Sequence, residues 1–464
     1  RADEMSFPRY PNYKDSGVEW LGEIPETWSP TRLRFLLRDG YEGMKIGPFG
    51  SQLTSEMIEE CGEYKVYGQE NIIANNFVRG SRYIGCEKYR ELSVYEINPG
   101  DLLITMMGTS GRCDVAPTNI ARGIMDSHLL RMRLTTAART DFVRLLIDEA
   151  AYVGTQIQLA GKGSIMHGLN SSIVKNLLLL LPPIDEQTQI AAFLDRETAK
   201  IDELVAEQRR LMELLKEKRQ AVISDAVTKG LNPDAPMKPS GIEWLGDVPE
   251  KWTVIQIRQA AKLESGHTPS RQHPEYWENC TVPWITLADV WQIRDAKAEY
   301  VFDTKEKVSE LGLANSSARR LPKGTVILSR TASVGFSGIM GTDMATTQDF
   351  ANWMCGPRLQ PEFLLYVLRA MVGEFRRLMM GSTHNTIYMP DIKSLRFALP
   401  SLDQQIEIVE HVRAITREFD ALTAEAQRVI DRLQERRTAL ISAAVTGQID
   451  VRALSPTQTM EATT

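Results

Sequence analysis

Two stretches of this 464-residue chain are near copies of each other: residues 16–28 read SGVEWLGEIPETW and residues 240–252 read SGIEWLGDVPEKW. Trp28 matches Trp252 at an offset of 224 residues, and the alignment needs no gap. A tryptophan-bearing string of this length is a poor candidate for a chance repeat. A period above 200 residues is too long for a solenoid, so the repeat indicates two copies of one large module.

A second repeated pair lies downstream of the first. DEQ at 185–187 matches DQQ at 403–405, and RQAVISDAVT at 219–228 matches RTALISAAVT at 437–446. The offset here is 218 residues, so the second copy is six residues shorter between its two anchors. The duplication therefore extends over nearly the whole chain.

The first part of each module, about 20–181 and 244–399, contains short apolar runs that follow turn signals. NPGDLLIT (98–105) and LPKGTVILSR (321–330) are of this kind, and a Pro-Gly turn before an apolar run predicts a strand. Helical stretches also occur, at 141–160 and 361–380. This mixture predicts an α+β domain with much irregular loop.

The second part of each module, 185–229 and 403–446, has almost no Gly or Pro and a helical period. Alternating steps of three and four residues from Val412 meet eight apolar residues in nine positions, and the same register 218 residues earlier meets six in nine. Besides Ala426, the apolar residues of this seam are Leu194, Ile201, Leu204, Leu211, Leu215 and Val222 in the first copy and Val412, Ile415, Phe419, Leu422, Val429, Leu433 and Leu440 in the second. A 3.5-residue repeat over four or more heptads is typical of a coiled coil. Two separate amphipathic core helices are the alternative.

Both helical segments carry start and stop signals. Asp185 and Asp403 follow Pro-containing entries and can cap the first turn, and Gly230 and Gly447 follow the ends. Each helix of roughly 45 residues is about 65 Å long at 1.5 Å per residue. The shared register and length predict an antiparallel pair with one of the flanking globular parts at either end.

Composition excludes several classes of protein. The chain is 43% hydrophobic, and its apolar runs, such as Leu177–Leu181, are far shorter than a membrane span. The N-terminus has no apolar core of a secretory signal. The five cysteines are widely spaced and form no CxxC pair, which argues against zinc and against a disulfide framework and favours a reduced, cytoplasmic protein. The net charge of −6 argues against a nonspecific DNA coat.

Catalytic motifs are missing from the chain. The nearest string to a phosphate-binding loop, Gly161 to Ser164, lacks the first glycine and the Lys-Ser/Thr pair that such a loop requires. No acidic-or-Asn, Pro, Pro, aromatic string is present to hold a flipped base. Asp391 and Lys393 resemble half of a nuclease site and are better explained as a helix start. The six histidines form no HxxxH or HExxH pattern, so no metal site is predicted.

Candidate recognition residues lie in irregular segments that mix Gly with short polar residues. Amides and Arg suit base edges, whereas Ser, Thr and Lys suit phosphates. The candidates in the first half are Lys45, Ser51, Gln52, Gln69, Asn71, Thr109, Ser110, Arg112, Ser127, His128, Lys162 and Ser164. Those in the second half are His267, Thr268, Ser270, Arg271, Thr286, Asp289, Arg330, Thr331, Ser333, Thr347, Gln348, Ser382, Thr383, His384 and Asn385. Ordinary polar turns are the alternative for any one of them, and net charges of −1 for 20–181 and +2 for 244–399 do not by themselves point to DNA.

The architecture and several strings resemble the specificity subunit of type I restriction–modification systems. The resemblance runs from about 16 to 450 and is strongest in the repeated 13-residue motif and in the helix entries PPIDEQTQI (182–190) and PSLDQQIEI (400–408). KIGPFGSQL (45–53), SGHTPSR (265–271) and GSTHNTIYMPDIK (381–393) also look like recurring strings of this family. In the second helix entry Gln404 stands where the family usually has an acid.

The resemblance implies a fold with two similar target-recognition domains separated by two long conserved helices in an antiparallel coiled coil. Its expected boundaries are 1–184 and 231–402 for the recognition domains, 185–230 and 403–450 for the helices, and 451–464 for a flexible tail.

The resemblance also implies a non-catalytic protein that reads DNA. Each domain would read one half of a bipartite, asymmetric site in double-stranded DNA, and the helices would set the spacer and dock two modification subunits. Two restriction subunits would complete the complex. S-adenosylmethionine, ATP and Mg²⁺ would belong to those partners, and this chain would bind no cofactor. The competing hypothesis is a two-headed coiled-coil adaptor that binds proteins and has no DNA specificity.

Overall fold

The repeated sequence folds into the same set of sheets twice. The computed structural model describes residues 7–161, 169–379 and 385–454. The chain divides into two compact units: unit 1 takes Arg1–Glu207 and Arg428–Thr464, and unit 2 takes Gln208–Gln427. Both units mix helices and strands, and each contains part of both long helices.

Unit 1 is built on four small sheets. Its strands are β1 Tyr13–Asp15, β2 Glu23–Pro25, β3 Ser29–Arg32, β4 Met44–Ile46, β5 Tyr64–Tyr67, β6 Tyr83–Ile84, β7 Leu102–Thr105, β8 Cys113–Val115, β9 Gly123–Met125, β10 Leu129–Met132 and β11 Leu178–Leu181. Its helices are α1 Gly40–Gly43, α2 Gln69–Ile73, α3 Cys86–Glu91, α4 Thr140–Glu149, α5 Ala151–Gly161, α6 Ser171–Asn176 and the start of α7 Ile184–Lys229. The strand orders are β1-β2, β11-β3, β4-β10-β7-β8 and β6-β5-β9.

Unit 2 repeats these four sheets and adds one strand. Its strands are β12 Met237–Pro239, β13 Asp247–Pro249, β14 Thr253–Gln256, β15 Ala261–Ser265, β16 Val282–Ile285, β17 Tyr300–Val301, β18 Glu306–Val308, β19 Val326–Ser329, β20 Ser337–Met340, β21 Ala345–Thr346, β22 Phe350–Cys355 and β23 Arg396–Leu399. Its helices are α8 Glu310–Ala314, α9 Pro361–Ala370, α10 Val372–Met379, α11 Met389–Ser394 and most of α12 Leu402–Val445. The orders are β12-β13, β14-β23, β15-β22-β19-β20-β17 and β18-β16-β21, so β17 is the addition.

The central strands are apolar because both of their faces are covered. All four residues of β7 (LLIT) and of β19 (VILS) are buried. Phe142 of α4 and Phe363 of α9 are fully buried in their units, and burying such a ring contributes about 1.5–3 kcal/mol. The predicted α+β class and both predicted strands are confirmed.

The two predicted 20-residue helical stretches are each interrupted once. Ala150 has extended backbone (ψ 116°) and is buried, so it ends α4 and lets α5 start in a new direction. Met371, with ψ 15°, is also buried and separates α9 from α10. The predicted helical stretches are confirmed. Their breaks were not predicted, because each break buries an apolar residue and buried apolar residues also occur inside helices.

The repeated 13-residue motif packs against the end of a long helix. Gly447 follows α12 with φ +74°, and a Cβ there would lie 2.4 Å from the ring of Pro25. Gly230 follows α7 with φ +76°, and a Cβ there would lie 3.1 Å from the ring of Trp252. Only glycine adopts this left-handed backbone without strain and also permits the close approach. The predicted stop signals are confirmed, and the motif has a structural role.

A buried glutamine fixes the start of each long helix. Gln187 donates to the carbonyls of Pro182 (3.0 Å) and Ala137 (3.3 Å) and accepts from the Arg139 amide (2.9 Å). Gln405 donates to the carbonyls of Pro400 (3.0 Å) and Arg358 (2.9 Å) and accepts from the Gln360 amide (2.9 Å). Both side chains therefore tie a helix entry to the loop before α4 or α9. This bonding explains why the DEQ and DQQ strings recur.

Asp185 and Asp403 are not caps as predicted. The helices begin at Ile184 and Leu402, so both carboxylates lie inside the first turn, where they still face the positive end of the helix dipole. Ser401 takes the capping position of α12, and its hydroxyl accepts weakly from the Gln404 amide at 3.4 Å. The sequence pattern alone does not distinguish an acidic residue that caps a helix from one that lies within its first turn.

The long helices run antiparallel and in one register. Asp202 of α7 pairs with Arg437 of α12 within unit 1 (3.1 Å), and Arg219 pairs with Asp420 within unit 2 (3.8 Å). The two residue numbers add up to 639 in both pairs, as one antiparallel register requires. The predicted antiparallel coiled coil is confirmed.

The predicted seam is wrong at Leu204, Leu211 and Leu422. Leu204, Leu211 and Leu422 are 46%, 43% and 52% exposed, whereas Val205, one residue from Leu204, is buried. Burial instead follows steps of four and then three residues. The residues on this seam are Leu194, Thr198, Ile201, Val205, Met212 and Leu215 on α7, and Val412, Thr416, Phe419, Thr423, Ile430 and Leu433 on α12. Both step orders keep every seventh residue, so the repeat alone could not choose between them.

Val451 lies in the predicted flexible tail, 451–464, but is 3% exposed and therefore packs within unit 1. Residues 455–464 lie outside the described residues. Within the described ranges, no helix combines the length and the apolar character that crossing a membrane requires.

Candidate nucleic-acid interface

Four of the predicted recognition segments of unit 1 converge, although they are far apart in sequence. The amide of Gly47 donates to Leu129 O (3.0 Å), and a Cβ on Gly47 would lie 1.8 Å from the carbonyl oxygen of Asp126. Asp126 N donates to Tyr67 O, next to the segment 68–72 (2.9 Å). Met106, at the start of the turn after β7, donates its amide to His128 O (2.9 Å). One edge of the domain therefore carries all four segments.

Unit 2 brings its segments together through equivalent bonds. His267 N donates to Thr346 O (3.1 Å), and Thr347 N donates to Ile285 O, next to the segment 286–289 (3.0 Å). Arg330 N donates to Asp349 O at 2.8 Å, as Met106 does to His128 in unit 1. The fold thus places the predicted strings at the same edge of each copy.

A tight hairpin turn occupies the middle of each edge. It joins β7 to β8 in unit 1 and β19 to β20 in unit 2, and it contains Gly108 (φ +65°) or Ala332 (φ +54°). A left-handed alanine costs about 1–2 kcal/mol. The amide of Ala332 donates to Asn385 O at 3.1 Å, which helps to hold this conformation. Strained backbone of this kind concentrates at functional sites.

The predicted residues differ in how accessible they are. Those with exposed side chains are Ser51, Gln52, Thr109, Arg112 and His128 in unit 1 and His267, Ser270, Arg271, Gln348 and Asn385 in unit 2. Half-buried ones are Lys45, Gln69, Ser110 and Ser127, and Thr268, Thr286, Arg330, Thr331 and Ser333. Lys162, Ser164, Ser382, Thr383 and His384 lie outside the described residues. The first two groups remain predictions for contact with a ligand.

Asn71 and Asp289 are corrections, because both are structural caps. Asn71 is 1% exposed, accepts from the Gly68 amide (3.0 Å) and donates to the carbonyls of Asn76 (3.1 Å) and Arg79 (2.8 Å). Asp289 is 2% exposed and accepts from the amides of Thr286 (2.9 Å) and Lys305 (2.8 Å). Neither side chain is free to meet a base.

Two predicted threonines bind a neighbouring carboxylate. Thr347 is buried and its hydroxyl donates to Asp349 (3.0 Å), and the hydroxyl of Thr331 donates to the other oxygen of the same group. For Thr347 the prediction of ligand contact is wrong. Asp349, in the same string TTQDF (346–350), is the acceptor that the two hydroxyls share.

Sequence reasoning also missed exposed aromatic rings beside the unit 1 edge. Tyr41 is 80% exposed and Phe49 is 60% exposed. The ammonium of Lys45 lies 4.8 Å from the centre of the Tyr41 ring and 5.2 Å from that of Tyr95. Aromatic rings between basic groups suit stacking on bases, so the interleaving of Tyr41, Lys45 and Phe49 was the available signal.

The basic side chains of both edges already have partners. Arg112 lies 3.3 Å from Asp148, and Arg271 lies 3.1 Å from Glu306 and over the ring of Trp277 (4.5 Å). Arg82 bridges Glu70 (3.2 Å) and the buried Asp126 (2.9 Å). Contact with a phosphate would therefore exchange one ionic partner for another.

Thiol and metal chemistry find little support in the described ranges. Burial raises the pKa of the Cys113 thiol well above its usual value, and burial raises the pKa of the Cys355 thiol to about 12, so neither thiol ionises near neutral pH. No cluster of three or more His, Cys, Asp or Glu that could hold a metal lies among the residues the structure describes. What the geometry offers is one edge in each unit where several polar segments meet.

Comparison with known proteins gives one consistent family. The model of a family described as "Type I restriction modification DNA specificity domain" matches residues 249–432. The MjaIX specificity subunit of Methanocaldococcus jannaschii, a type I restriction enzyme subunit, is 28% identical over 35% of this chain and 38% of its own length. The MjaVIII specificity subunit of the same organism is 22% identical over 97% of this chain and 99% of its own.

Solved structures share the fold. The crystal structure of the HsdS subunit from Thermoanaerobacter tengcongensis has a TM-score of 0.52 at 16% identity and covers 91% of this chain and 98% of its own. A structure from work on complex assembly and conformational transition of the type I R-M system has a TM-score of 0.68 with the same identity and coverage. At this identity the likeness concerns the fold alone.

Proposed function

We propose a DNA-reading function for this chain, which belongs to the family of type I restriction–modification specificity subunits. Each recognition domain reads one half of a bipartite site, and the chain itself catalyses no reaction. The observation that carries the proposal is the convergence of four polar segments around a hairpin turn in each of two copies of one fold. The partly buried location of these segments suits recognition by a few defined contacts.

The two half-sites differ, because the two edges present different side chains at equivalent positions. The turn reads MMGTSG (106–111) in unit 1 and RTASVG (330–335) in unit 2, and DSH (126–128) is replaced by TQD (347–349). Amides such as Gln348 suit adenine edges, whereas Arg suits guanine. The recognised sequence is therefore asymmetric.

Near-neutral domains favour a shared DNA complex over tight binding by this chain alone. Residues 20–181 carry a net charge of −1 and 244–399 a net charge of +2. Phosphate contacts dominate affinity, so recognition domains with almost no net positive charge need partners that supply basic groups. Two modification subunits would do so, and two restriction subunits complete the proposed complex. S-adenosylmethionine, ATP and Mg²⁺ belong to those partners, which would act on DNA in the cytoplasm.

The long helices dock the modification subunits and set the spacer in this proposal. Exposed leucines support docking: Leu204 in unit 1 and Leu211, Leu214 and Leu422 in unit 2 are 43–52% exposed. Apolar side chains of this size mark interaction sites when they cluster on polar helices. A helix pair in fixed register also has a fixed length, which a spacer of constant length requires.

The test is the methylated motif of a host that expresses the chain with its modification subunit. We expect Gln348→Ala to relax or weaken recognition in one half-site only, and Thr342→Ala, an exposed substitution in unit 2 away from the segment, to leave the motif unchanged. The purified chain without partners is expected to show no methyltransferase or nuclease activity. Adenine methylation by the partner-free chain, or a motif that is not bipartite, would contradict the proposal.

A further inference from the structure

A cavity in unit 2 lies between the end of α7, the start of α12 and the second copy of the repeated motif. It encloses about 380 Å³, within the range of roughly 300–1,000 Å³ typical of small-ligand sites. Its wall includes Gly230, Pro249, Trp252, Gln404 and Ile408. None of these residues belongs to the recognition edge described above.

The equivalent place in unit 1 is filled by a tyrosine. The ring of Tyr10 packs edge-on against Trp28, with 5.8 Å between centroids and 73° between planes. The Tyr10 hydroxyl donates to the carboxylate of Glu186, which also accepts from Trp28 Nε1 (3.1 Å). Both Tyr10 and Glu186 are buried. The first copy of the site therefore contains a phenol whose ring packs edge-on against Trp28 and Tyr13 and whose hydroxyl donates to one acceptor.

Three wall residues correspond between the two sites. Trp252 and Pro249 replace Trp28 and Pro25 at the offset of 224, and Gln404 replaces Glu186 at the offset of 218. Gln404 is exposed, and its Oε1 accepts from Ser401 N and Oγ only at 3.4 Å, so this oxygen can also accept from a hydroxyl. The position of Tyr10, however, is taken by Asp234 in the segment LNPDAP (231–236). The second copy thus retains the walls and lacks the tyrosine.

Chain connectivity explains why the second site is open. In unit 1 two separate segments lie side by side, since Asp450 N donates to Pro8 O (2.7 Å) and the Arg452 guanidinium lies 4.8 Å from the centre of the Tyr10 ring. In unit 2 the single segment 231–239 leads from the end of α7 directly into the second motif. One segment replaces two, and the unfilled space is the cavity.

The groups around the cavity favour a neutral aromatic ligand with a polar tip. Trp252 is 2% exposed, and its Nε1 donates to no acceptor within the described part of the chain, although Trp28 Nε1 has one. The rim carries Lys229 and Lys251 as well as Glu250 and Glu407, so it has no net charge. A phenol satisfies such a site, whereas an anion gains nothing from a neutral rim.

We propose that this cavity binds a tyrosine side chain presented by another protein chain, with the ring against Trp252 and the hydroxyl beside Gln404. Under the function proposed above, on which the identity of the partner rests, that chain is a modification subunit. The two copies of the site then differ, because only the copy in unit 2 is open to a partner. A partner engaged here would contact the end of α7 and the start of α12 together.

The first experiment uses the full chain labelled with ¹⁵N in its tryptophan indoles. The probe is the peptide PRYPN, the sequence of residues 8–12, and its matched control carries alanine in place of the tyrosine. We expect the Trp252 indole resonance, assigned with Trp252→Phe, to shift with the tyrosine peptide and not with the control, while Trp28 stays unchanged. No shift of Trp252 at millimolar peptide would overturn the proposal.

Two variants then test the geometry and the partner. Gln404→Glu restores the carboxylate of the first site and is expected to tighten peptide binding several-fold, because a hydroxyl bond to an ionised acceptor is stronger. Ala235→Trp fills the cavity and should abolish the shift and lower the affinity for the modification subunit at least tenfold. Unchanged affinity in a folded Ala235→Trp chain rules out the partner; if that variant does not fold, Gln404→Glu remains informative. If the tyrosine peptide shifts the Trp252 resonance but the chain does not direct methylation to a bipartite motif, the proposed function is contradicted and the proposal for the cavity is not.

Discussion

Individual residues that recur in both halves of the chain hold the fold, whereas the residues proposed to read DNA do not recur. Gln187 and Gln405 make the same three bonds at the two helix entries, and Trp28 and Trp252 cover the two helix ends. The turn residues around Gly108 and Ala332 differ at every position except the last, which is Gly111 in one copy and Gly335 in the other. Duplication therefore separates structural residues from specificity residues without any alignment of relatives.

Replacing Gln405 tests the three buried hydrogen bonds that its side chain makes at the start of α12. Gln405→Ala leaves two carbonyls and one amide without partners in a site where Gln405 is 0% exposed, so we expect the free energy of unfolding to fall by about 2–4 kcal/mol. The matched control is Gln404→Ala, an exposed neighbour, with a change within about 0.5 kcal/mol. Denaturant midpoints of the two variants give the comparison. If both variants lost the same free energy of unfolding, the buried hydrogen bonds of Gln405 would add no stability.

The glycines after the helices make a graded prediction. Gly447→Ala combines left-handed backbone with a Cβ 2.4 Å from Pro25, and we expect a loss of about 2–4 kcal/mol. Gly17→Ala has the same backbone strain (φ +70°) and nothing within 4 Å, so only about 1–2 kcal/mol should be lost. Thermal melts of the two variants give the comparison, and a larger loss for Gly17→Ala would refute the packing argument.

Sequence reasoning located the recognition segments better than the residues within them. The strings around Gln69 and Thr286 do reach the edge of their domains, yet Asn71 and Asp289 are caps. The same short polar side chains bond to their own backbone and to ligands, so composition cannot assign the role. Only the burial of Asn71 and Asp289 separates the two uses.

At the scale of the element, the helices were predictable in existence, length and pairing but not in the phase of their seam. Both begin within one residue of the predicted positions, at Ile184 and Leu402. The choice of Leu204 over Val205 failed because hydropathy favours leucine wherever it lies. The partner helix decides which of two neighbouring apolar residues is buried, and a single sequence does not display that partner.

A pair of neighbouring substitutions checks this phase. Val205→Lys places an ammonium in a site that is 7% exposed, and we expect the chain to lose several kcal/mol of stability. Leu204→Lys changes a side chain that is 46% exposed and should be nearly neutral in the isolated chain. Circular dichroism during urea unfolding compares the two. If the Val205→Lys variant were stable, the seam first predicted from sequence, which contains Leu204 and not Val205, would be supported instead.

At the scale of the whole molecule, two complete copies of one fold predict modular specificity. Each copy has its own sheets, hairpin turn and converging segments, and β17 is an addition to unit 2 only. We expect exchange of residues 244–399 for the corresponding domain of another family member to change one half of the methylated site and to leave the other half and the spacer as they were. Methylome sequencing of the chimera reads this directly, and a change in both halves would contradict modularity.

The helices also predict the spacer. Asp202–Arg437 and Arg219–Asp420 share one antiparallel register, so seven residues added to each helix, after Leu211 and after Val429, keep the seam in phase. Each helix then gains about 10 Å at 1.5 Å per residue, which corresponds to up to about three base pairs at 3.4 Å each. An insertion of two or three residues would instead rotate the buried seam residues that follow it away from the partner helix. Such an insertion should damage assembly without shifting the spacer. The methylated motif is again the measurement. If a fully active heptad insertion kept the original spacer, the partner subunits and not these helices would set the distance.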